Sequence, residues 1–367
     1  MNDPRNARTI QGADPRGNVF ADLQPVLYAA ESPVSGSYVQ QSRTTATYAD
    51  AFCALRGAHV LDLGCGYGTT TAALAEFAPA RITAADNSAA MTELMRVVMM
   101  GDEDLDLWLR AKGAPAVLGD LYPATLAHLV RRRRDFQCGT FMRNGGQLRI
   151  ETLSVLDISP ERLGVFDVAV LNNVAHWPVN LQRTALQKEY PDASYEEITR
   201  MAFGRELAAI RSVLRTGGYA VLMEPKDFIM FDSEPRREAD TEAHAMPANP
   251  VFIGFNTIFN RLLKERFGIE RAVPKTSPLF SFSKLALWCA EAGFKLRAFS
   301  HIENYLDVDP IMWCYVRMPL WLGNVNISFE EKIALGKEVV RLAREEFPRE
   351  RQEPICNQFF YIALELD

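Results

Sequence analysis

The feature that most constrains the fold is a short apolar run followed by three glycines at alternate positions. Residues 59–63, HVLDL, have the composition of a buried strand, and a helical pattern begins at Thr69. The glycines between them are Gly64, Gly66 and Gly68. Glycines at such a turn let the backbone approach a ligand closely. The pattern therefore predicts a strand, a ligand-binding turn and a helix.

A carboxylate stands at the end of the second predicted strand. Residues 81–85 form another apolar run, and Asp86 follows it, 18 residues beyond Gly68 (86 − 68 = 18). Dinucleotide-binding folds place an acidic residue about 20 residues after their glycine loop, where it accepts hydrogen bonds from ribose hydroxyls. The spacing indicates an adenosine cofactor whose ribose is held by Asp86.

Apolar runs alternate with helical segments along most of the chain. Several runs are apolar throughout, as expected of strands that are covered on both faces. Alternation of strand and helix favours a parallel sheet with right-handed crossovers and helices on both faces. We predict an α/β fold with a doubly wound, Rossmann-like sheet. Its predicted strands are 59–63, 81–85, 148–155, 166–171, 219–223, 294–300 and 359–366.

Long stretches outside these strands predict helical insertions that gather into a cap over one edge of the sheet. Such a cap would enclose a pocket. The predicted organisation is an N-terminal segment and lid at 1–50, a cofactor-binding core at 51–225 with an insertion at 91–147, cap insertions at 226–280 and 303–357, and segments 281–302 and 358–367 that complete the sheet.

The glycine spacing separates two kinds of adenosine cofactor. A G-x-G-x-x-G loop places helix amides against a pyrophosphate, whereas this loop is G-x-G-x-G and is preceded by Asp62. Negative charge beside the ligand repels a pyrophosphate and suits a ligand that carries an ammonium and a sulfonium. An NAD(P)-dependent oxidoreductase remains as an alternative function.

Five segments carry a resemblance to a known family. They are the glycine loop with its acid, the pair Asp86 and Asn87, LSVLDIS, LNNVAHW and LRTGGYAVL. In these segments the sequence resembles the class I S-adenosylmethionine-dependent methyltransferases of the small-molecule type. The resemblance covers roughly residues 51–225 and the last strands. It implies S-adenosyl-L-methionine as cofactor and S-adenosyl-L-homocysteine as product. A noncatalytic protein that binds this cofactor is the second alternative.

The resemblance also implies which residues hold the cofactor. The glycine loop and the acid before it would surround the methionine end, the second strand would hold the ribose, and the end of the third strand would meet the adenine. Asn172, Asn173 and His176 would face the reacting centre. The implied cofactor-binding residues are Asp62, Gly64, Cys65, Gly66, Gly68, Asp86, Asn87, Met91, Asp157, Ile158 and Asn172.

His176 is the candidate general base. An imidazole with a pKa near 6.5 accepts a phenol or amine proton near neutral pH. The other interpretation is a hydrogen-bonded histidine that shapes the pocket. Weaker candidates for the base are His244, His301, Glu224 and Tyr38.

Charge and composition limit the classes of partner that the chain is expected to bind. The chain has 40 Lys and Arg against 46 Asp and Glu, a net charge of −6, which counts against binding of nucleic acid through bulk charge. We find no apolar run long enough to cross a membrane, no apolar leader, and cysteines without metal-ligand spacing. We expect a cytoplasmic protein without a metal, and homodimerisation is left open.

The acceptor is predicted to be a small aromatic natural product or an amino-acid-like molecule, methylated at oxygen or at a ring carbon. Aromatic residues in the insertions supply apolar surface for it; they are Trp177, Phe228, Phe252, Phe255, Trp313, Tyr315 and Trp321. One dense basic run, 131–134, is predicted either as a solvated helix face or as a place for an anion.

Overall fold

A computed structural model describes residues 24–225, 229–230, 250–270, 280–306, 308–322, 325, 327–348 and 355–367. The predicted lid residues 1–23 lie outside this part of the chain. So do His244 and Phe228, and the side chain of Trp321.

The strands follow the predicted runs closely. They are β1 (His59–Leu63), β2 (Arg81–Asp86), β3 (Gln147–Thr152), β4 (Phe166–Asn172), β5 (Leu214–Pro225), β6 (Ile229–Met230), β7 (Phe280–Ser281), β8 (Phe294–Leu306) and β9 (Ile355–Leu366). Seven of them form one sheet in the order β3-β2-β1-β4-β5-β9-β8, and β6 pairs with β7.

Helices fill the connections between these strands. They are α1 (Gln24–Ser35), α2 (Ser37–Cys53), α3 (Thr69–Ala75), α4 (Ala89–Met99), α5 (Leu105–Ala111), α6 (Ala114–Leu118), α7 (Tyr122–Gln137), α8 (Thr140–Arg143), α9 (Pro160–Leu163), α10 (His176–Glu189), α11 (Tyr195–Val213), α12 (Pro250–Phe267), α13 (Phe282–Glu291), α14 (Pro310–Leu322) and α15 (Phe329–Glu346).

The doubly wound α/β prediction is confirmed. β1 lies between β2 and β4 and runs parallel to both, so the strand order reverses beside it. In open α/β sheets, ligands bind at the carboxyl ends of the strands where the order reverses. The topology therefore places a binding crevice beyond the ends of β1 and β4.

The direction of β9 departs from the parallel sheet that alternation predicts. β9 runs antiparallel to both β5 and β8. Its first residue pairs with Leu306, the last residue of β8. The chain thus enters β9 at the same end of the sheet at which it left β8, because α14 and α15 do not carry it to the opposite end.

Side chains alternate between two hydrophobic layers along the central strands. Leu61 and Leu171 pack on one face with α11 and α13, whereas Val60 and Val170 pack on the other face with α2 and α3. This period of two is that of a pleated strand. Both faces of the central sheet are therefore buried.

A third hydrophobic cluster lies among the insertions. It joins Leu109 of α5, Phe255 of α12, Trp313 of α14 and Val339 of α15 with residues of α1 and α7. Segments that are far apart in sequence share this one cluster. The assignment of these segments as a substrate cap remains a prediction.

The turn after β1 requires glycine at its first position. Gly64 has φ of +67°, and a Cβ there would lie 2.4 Å from a methyl of Val174. Gly57 has φ of +77°, but no heavy atom lies within 4 Å of its would-be Cβ. The two positions share backbone conformation and differ in the space around it.

We predict that Gly64→Ala destabilises the protein by more than Gly57→Ala does. Both substitutions place a side chain in the left-handed region, which lowers the free energy of unfolding by about 1–2 kcal/mol. In Gly64→Ala the collision with Val174 lowers it by about 1–3 kcal/mol more. Urea unfolding of the two variants measures the difference. Equal free energies of unfolding would mean that the close contact of Val174 with the turn is wrong.

Candidate active site

A cavity lies beyond the carboxyl ends of β1, β2 and β4. It is lined by Gly64 and Gly66 of the turn after β1, by Asp86 at the end of β2, and by Tyr28 and Tyr38 of the first two helices. The other lining residues are Tyr67, Asn87, Met91, Leu153, Ser154, Val155, Leu156, Asn173, Val174, Trp177, Pro178 and Leu181. The cavity therefore occupies the crevice that the strand order predicts.

Asp86 joins the end of β2 to the glycine turn. Its Oδ2 accepts a hydrogen bond of 2.9 Å from the Gly66 amide, and its Oδ1 accepts one of 2.8 Å from the Ser88 amide. Burial raises the pKa of the carboxyl, while these two hydrogen bonds oppose the shift. Asn87 and Met91 also line the cavity. The fixed carboxylate can accept hydroxyl hydrogens from a ligand.

Asp62 lies beneath the turn and does not line the cavity. Its side chain is buried, and its Oδ2 accepts a hydrogen bond from the Thr71 hydroxyl on α3. Burial raises the pKa of Asp62 to about 7. One carboxylate oxygen thus joins β1 to α3, while the buried Oδ1 has no hydrogen-bond partner among the described residues. The contact of Asp62 with the methionine end of a cofactor stays a prediction.

Four further predicted residues lie outside the cavity lining. Cys65 is buried with its thiol 3.6 Å from Met95 Sδ, and burial raises the pKa of that thiol. Gly68 packs against Met95 as well. Asp157 is exposed and Ile158 is buried in the core. β3 ends at Thr152, before the predicted 155, so Ser154 to Leu156 take the cavity position instead.

The two asparagines at the end of β4 have different surroundings. Asn172 is buried between α2 and α3, where its side chain bonds Thr45, Ser42 and Thr70 at 2.9 to 3.1 Å. These contacts are structural, and the contact of Asn172 with a ligand stays a prediction. Asn173 lines the cavity with φ of +62°, and its Oδ1 has no hydrogen-bond partner among the described residues.

Glu224, near the end of β5, holds the segment that follows β4. Its Oε1 accepts hydrogen bonds from the Val174 and Ala175 amides at 3.0 and 2.6 Å. Its Oε2 lies 2.7 Å from His176 Nδ1. Both side chains are buried, and His176 is outside the cavity lining. The pair fixes the cavity wall formed by Val174 from behind.

The sequence analysis does not identify two tyrosines that line the cavity. Tyr67 lies inside the glycine loop, and its hydroxyl is 2.9 Å from Ser32 Oγ on α1. Its position between Gly66 and Gly68 is a signal that could have identified it. Tyr28 belongs to α1, within residues 1–50, which the sequence predicts only as an N-terminal segment and lid.

The remaining predicted aromatic residues divide between cavity and core. Trp177 lines the cavity, whereas Phe252, Phe255, Trp313 and Tyr315 are buried in the cluster among the insertions. Across the described ranges, no group of three or more His, Cys, Asp or Glu side chains is placed to hold a metal ion. No helix in those ranges has the length and apolar content of a membrane span.

We predict that Asp62→Asn removes a pH dependence of stability. The folded-state pKa of about 7 exceeds the value of 3.8 for a free side chain, so wild-type stability falls as pH rises between these values. An amide keeps an acceptor for Thr71 and does not ionise.

Urea unfolding at pH 5 and pH 8 measures this effect. From pH 5 to pH 8, the variant should gain about 2 kcal/mol relative to wild type. Parallel pH profiles for the two proteins would show that Asp62 is ionised in the fold at both pH values.

A known protein family matches most of the chain. The model of a methyltransferase domain family matches residues 40–298, which is more than half of the 367-residue chain. The comparison with curated proteins finds no match.

Solved structures of methyltransferases show distant likeness. A putative methyltransferase from Bacillus halodurans has 15% identity and a TM-score of 0.40, with 87% of this chain and 97% of that chain covered. A SAM-dependent methyltransferase from Thiobacillus denitrificans in complex with S-adenosyl-L-homocysteine has 14% identity and a TM-score of 0.38, with both chains fully covered (100% each).

A third structure is the 1,6-didemethyltoxoflavin-N1-methyltransferase of Burkholderia thailandensis with bound 1,6-didemethyltoxoflavin and S-adenosylhomocysteine. It has 14% identity and a TM-score of 0.37, with 89% of this chain and 79% of that chain covered. Because these scores are low, the family assignment rests on the sequence match. That match over residues 40–298, with the predicted glycine loop inside it, shows that the chain belongs to the methyltransferase domain family.

Proposed function

We propose that the chain transfers a methyl group from S-adenosyl-L-methionine to a small aromatic molecule. The observation that carries the proposal is the joined wall of Asp86 and Gly66 at the point where the strand order reverses. A buried carboxylate fixed beside an open glycine turn fits a ribose and the chain attached to it.

The cavity residues fit the parts of this cofactor. Asp86 would accept the ribose hydroxyls, and Met91 with Val155 would provide apolar surface for the adenine. Nothing lies within 4 Å of the would-be Cβ of Gly66, so the turn leaves room for the methionine part. When bound, the cofactor supplies a methyl group on a positively charged sulfur. Membership of the methyltransferase domain family supports this choice.

The cavity lining favours an aromatic methyl acceptor. Tyr28 and Tyr38 line the cavity, as does Trp177 beside Val174. Aromatic side chains enclose flat apolar ligands with favourable stacking geometry. We therefore propose a small aromatic acceptor that is methylated at oxygen or at a ring carbon and whose hydroxyl lies beside Asn173. The Asn173 Oδ1, which has no partner among the described residues, can accept a hydrogen bond from that hydroxyl.

In our proposal, His176 supports the reaction by holding the cavity wall in place. Its Nδ1 is engaged by Glu224, and the same carboxylate holds the amides of Val174 and Ala175. A histidine that is buried behind the wall supports the interpretation of a pocket-shaping residue over that of a general base. Methyl transfer then depends on the wall that holds donor and acceptor in line.

We predict that Asp86→Ala weakens binding of S-adenosylhomocysteine at least tenfold. The substitution removes hydrogen bonds to a charged acceptor, each worth about 1.5–3 kcal/mol. Isothermal titration calorimetry measures the affinity, and Asp192→Ala, at an exposed loop carboxylate, is the charge-matched control. Unchanged affinity in Asp86→Ala would exclude Asp86 from the cofactor site. Binding of NAD in place of S-adenosylhomocysteine would favour the oxidoreductase alternative.

We predict that His176→Asn retains most of the turnover that His176→Ala loses. An asparagine can donate from Nδ2 to Glu224 as the imidazole does from Nδ1, but it cannot act as a base near neutral pH. Release of S-adenosylhomocysteine with a panel of phenols measures turnover, and calorimetry checks that cofactor affinity is kept.

Equal loss of turnover in the two variants would identify His176 as the base. Cofactor binding without turnover of any acceptor in the wild type would favour the noncatalytic alternative.

A further inference from the structure

A large groove lies beside α3, and none of its lining residues lines the cavity. It runs between α2 on one side and α7 with α8 on the other, and it has a volume of about 1000 Å³. Small-molecule sites occupy about 300–1,000 Å³. The groove is therefore large enough for a metabolite, and the proposed cofactor does not account for it.

Three arginines of this groove lack a carboxylate partner. Arg43 pairs with Glu76 at 3.5 Å, but Arg131, Arg132 and Arg143 form no ion pair with any residue that the structure describes. The only other acid in the lining, Asp135, pairs with Arg134 at 3.2 Å. On a chain with a net charge of −6, the groove is a local concentration of positive charge.

Arg132 is the most unusual of the three because it is buried. Only 8% of its surface is exposed. Its guanidinium donates to Thr69 Oγ1 at 2.8 Å and to His128 Nε2 at 3.0 Å, and it lies 4.7 Å from the centre of the Tyr67 ring. All three partners are neutral. Buried charges in proteins are normally paired with an opposite charge.

His128 reports the same positive environment. Burial, together with the charges of Arg132 and Arg131, lowers the pKa of His128 to about 4. The imidazole is therefore neutral at pH 7 and accepts the hydrogen bond from Arg132.

The groove also offers apolar surface beside these charges. Val39 and Ala51 line it from α2, Ala72 from α3, and Phe136 from α7. A ligand that suits both parts has an anionic head and an apolar body.

We propose that this groove binds a small organic phosphate. A phosphate monoester carries up to two negative charges near neutral pH, and guanidinium groups bind its oxygens with charge-assisted, bidentate hydrogen bonds. Arg131 and Arg143 supply accessible guanidiniums, and Arg132 supplies the buried charge beneath. The site is separate from the proposed cofactor cavity and does not depend on the proposed function.

Calorimetric titration with phenyl phosphate tests the site in the full-length chain, with S-adenosylhomocysteine added to saturation. We expect binding to the wild type and an affinity at least tenfold lower in the double variant Arg131→Ala, Arg143→Ala. Arg56→Ala, Arg162→Ala removes two exposed arginines elsewhere and serves as the matched control. Thermal unfolding midpoints within a degree or two of wild type establish that both variants are folded.

The result that would overturn the site is equal affinity in the two double variants, or no binding of phenyl phosphate to the wild type. Benzoate, which has the same ring and one negative charge, should bind at least fivefold more weakly than phenyl phosphate. Equal affinity for benzoate would overturn the assignment of a phosphate.

Discussion

The hydrogen bond from the Gly66 amide to Asp86 Oδ2 joins two strand ends into one binding wall. β1 and β2 are neighbours in the sheet, but their side chains meet a ligand together only if the turn after β1 leans over the end of β2. Two backbone amides, those of Gly66 and Ser88, fix the Asp86 carboxylate in this arrangement before a ligand binds. Such preorganisation lowers the free energy lost when a ligand is bound.

Glu224 performs the equivalent task on the opposite wall. It gathers the amides that follow β4 and the ring of His176 around one buried carboxylate. Gly64 completes the arrangement, because its missing side chain leaves the space that Val174 occupies. Both walls of the cavity are therefore held by acidic side chains that lie at the carboxyl ends of strands.

Local sequence patterns predicted the central strands and the carboxylate that follows the second of them. Apolar runs gave β1, β2 and β4 almost to the residue, and the spacing from Gly68 identified Asp86. The antiparallel direction of β9 could not be predicted in this way, because it depends on the end of the sheet at which the chain emerges from α14 and α15.

Burial decided the outcomes that sequence patterns missed. Asp62 and Asn172 have the side chains of ligand-binding residues, and burial gives both of them structural contacts outside the cavity lining that no sequence pattern predicts. Arg132 stands in a run of four arginines and is the one of them that is buried. Its partners, Tyr67 in the glycine loop and Thr69 at the start of α3, lie more than sixty residues away in sequence, a distance over which no local pattern operates.

A crystal structure of the protein with S-adenosylhomocysteine tests the central claim most directly. We expect both ribose hydroxyls within about 3 Å of the Asp86 carboxylate, the range of an O–H···O hydrogen bond, with the Asp86 to Gly66 hydrogen bond intact. A ribose held elsewhere, or an Asp86 side chain turned away from the glycine turn, would contradict it.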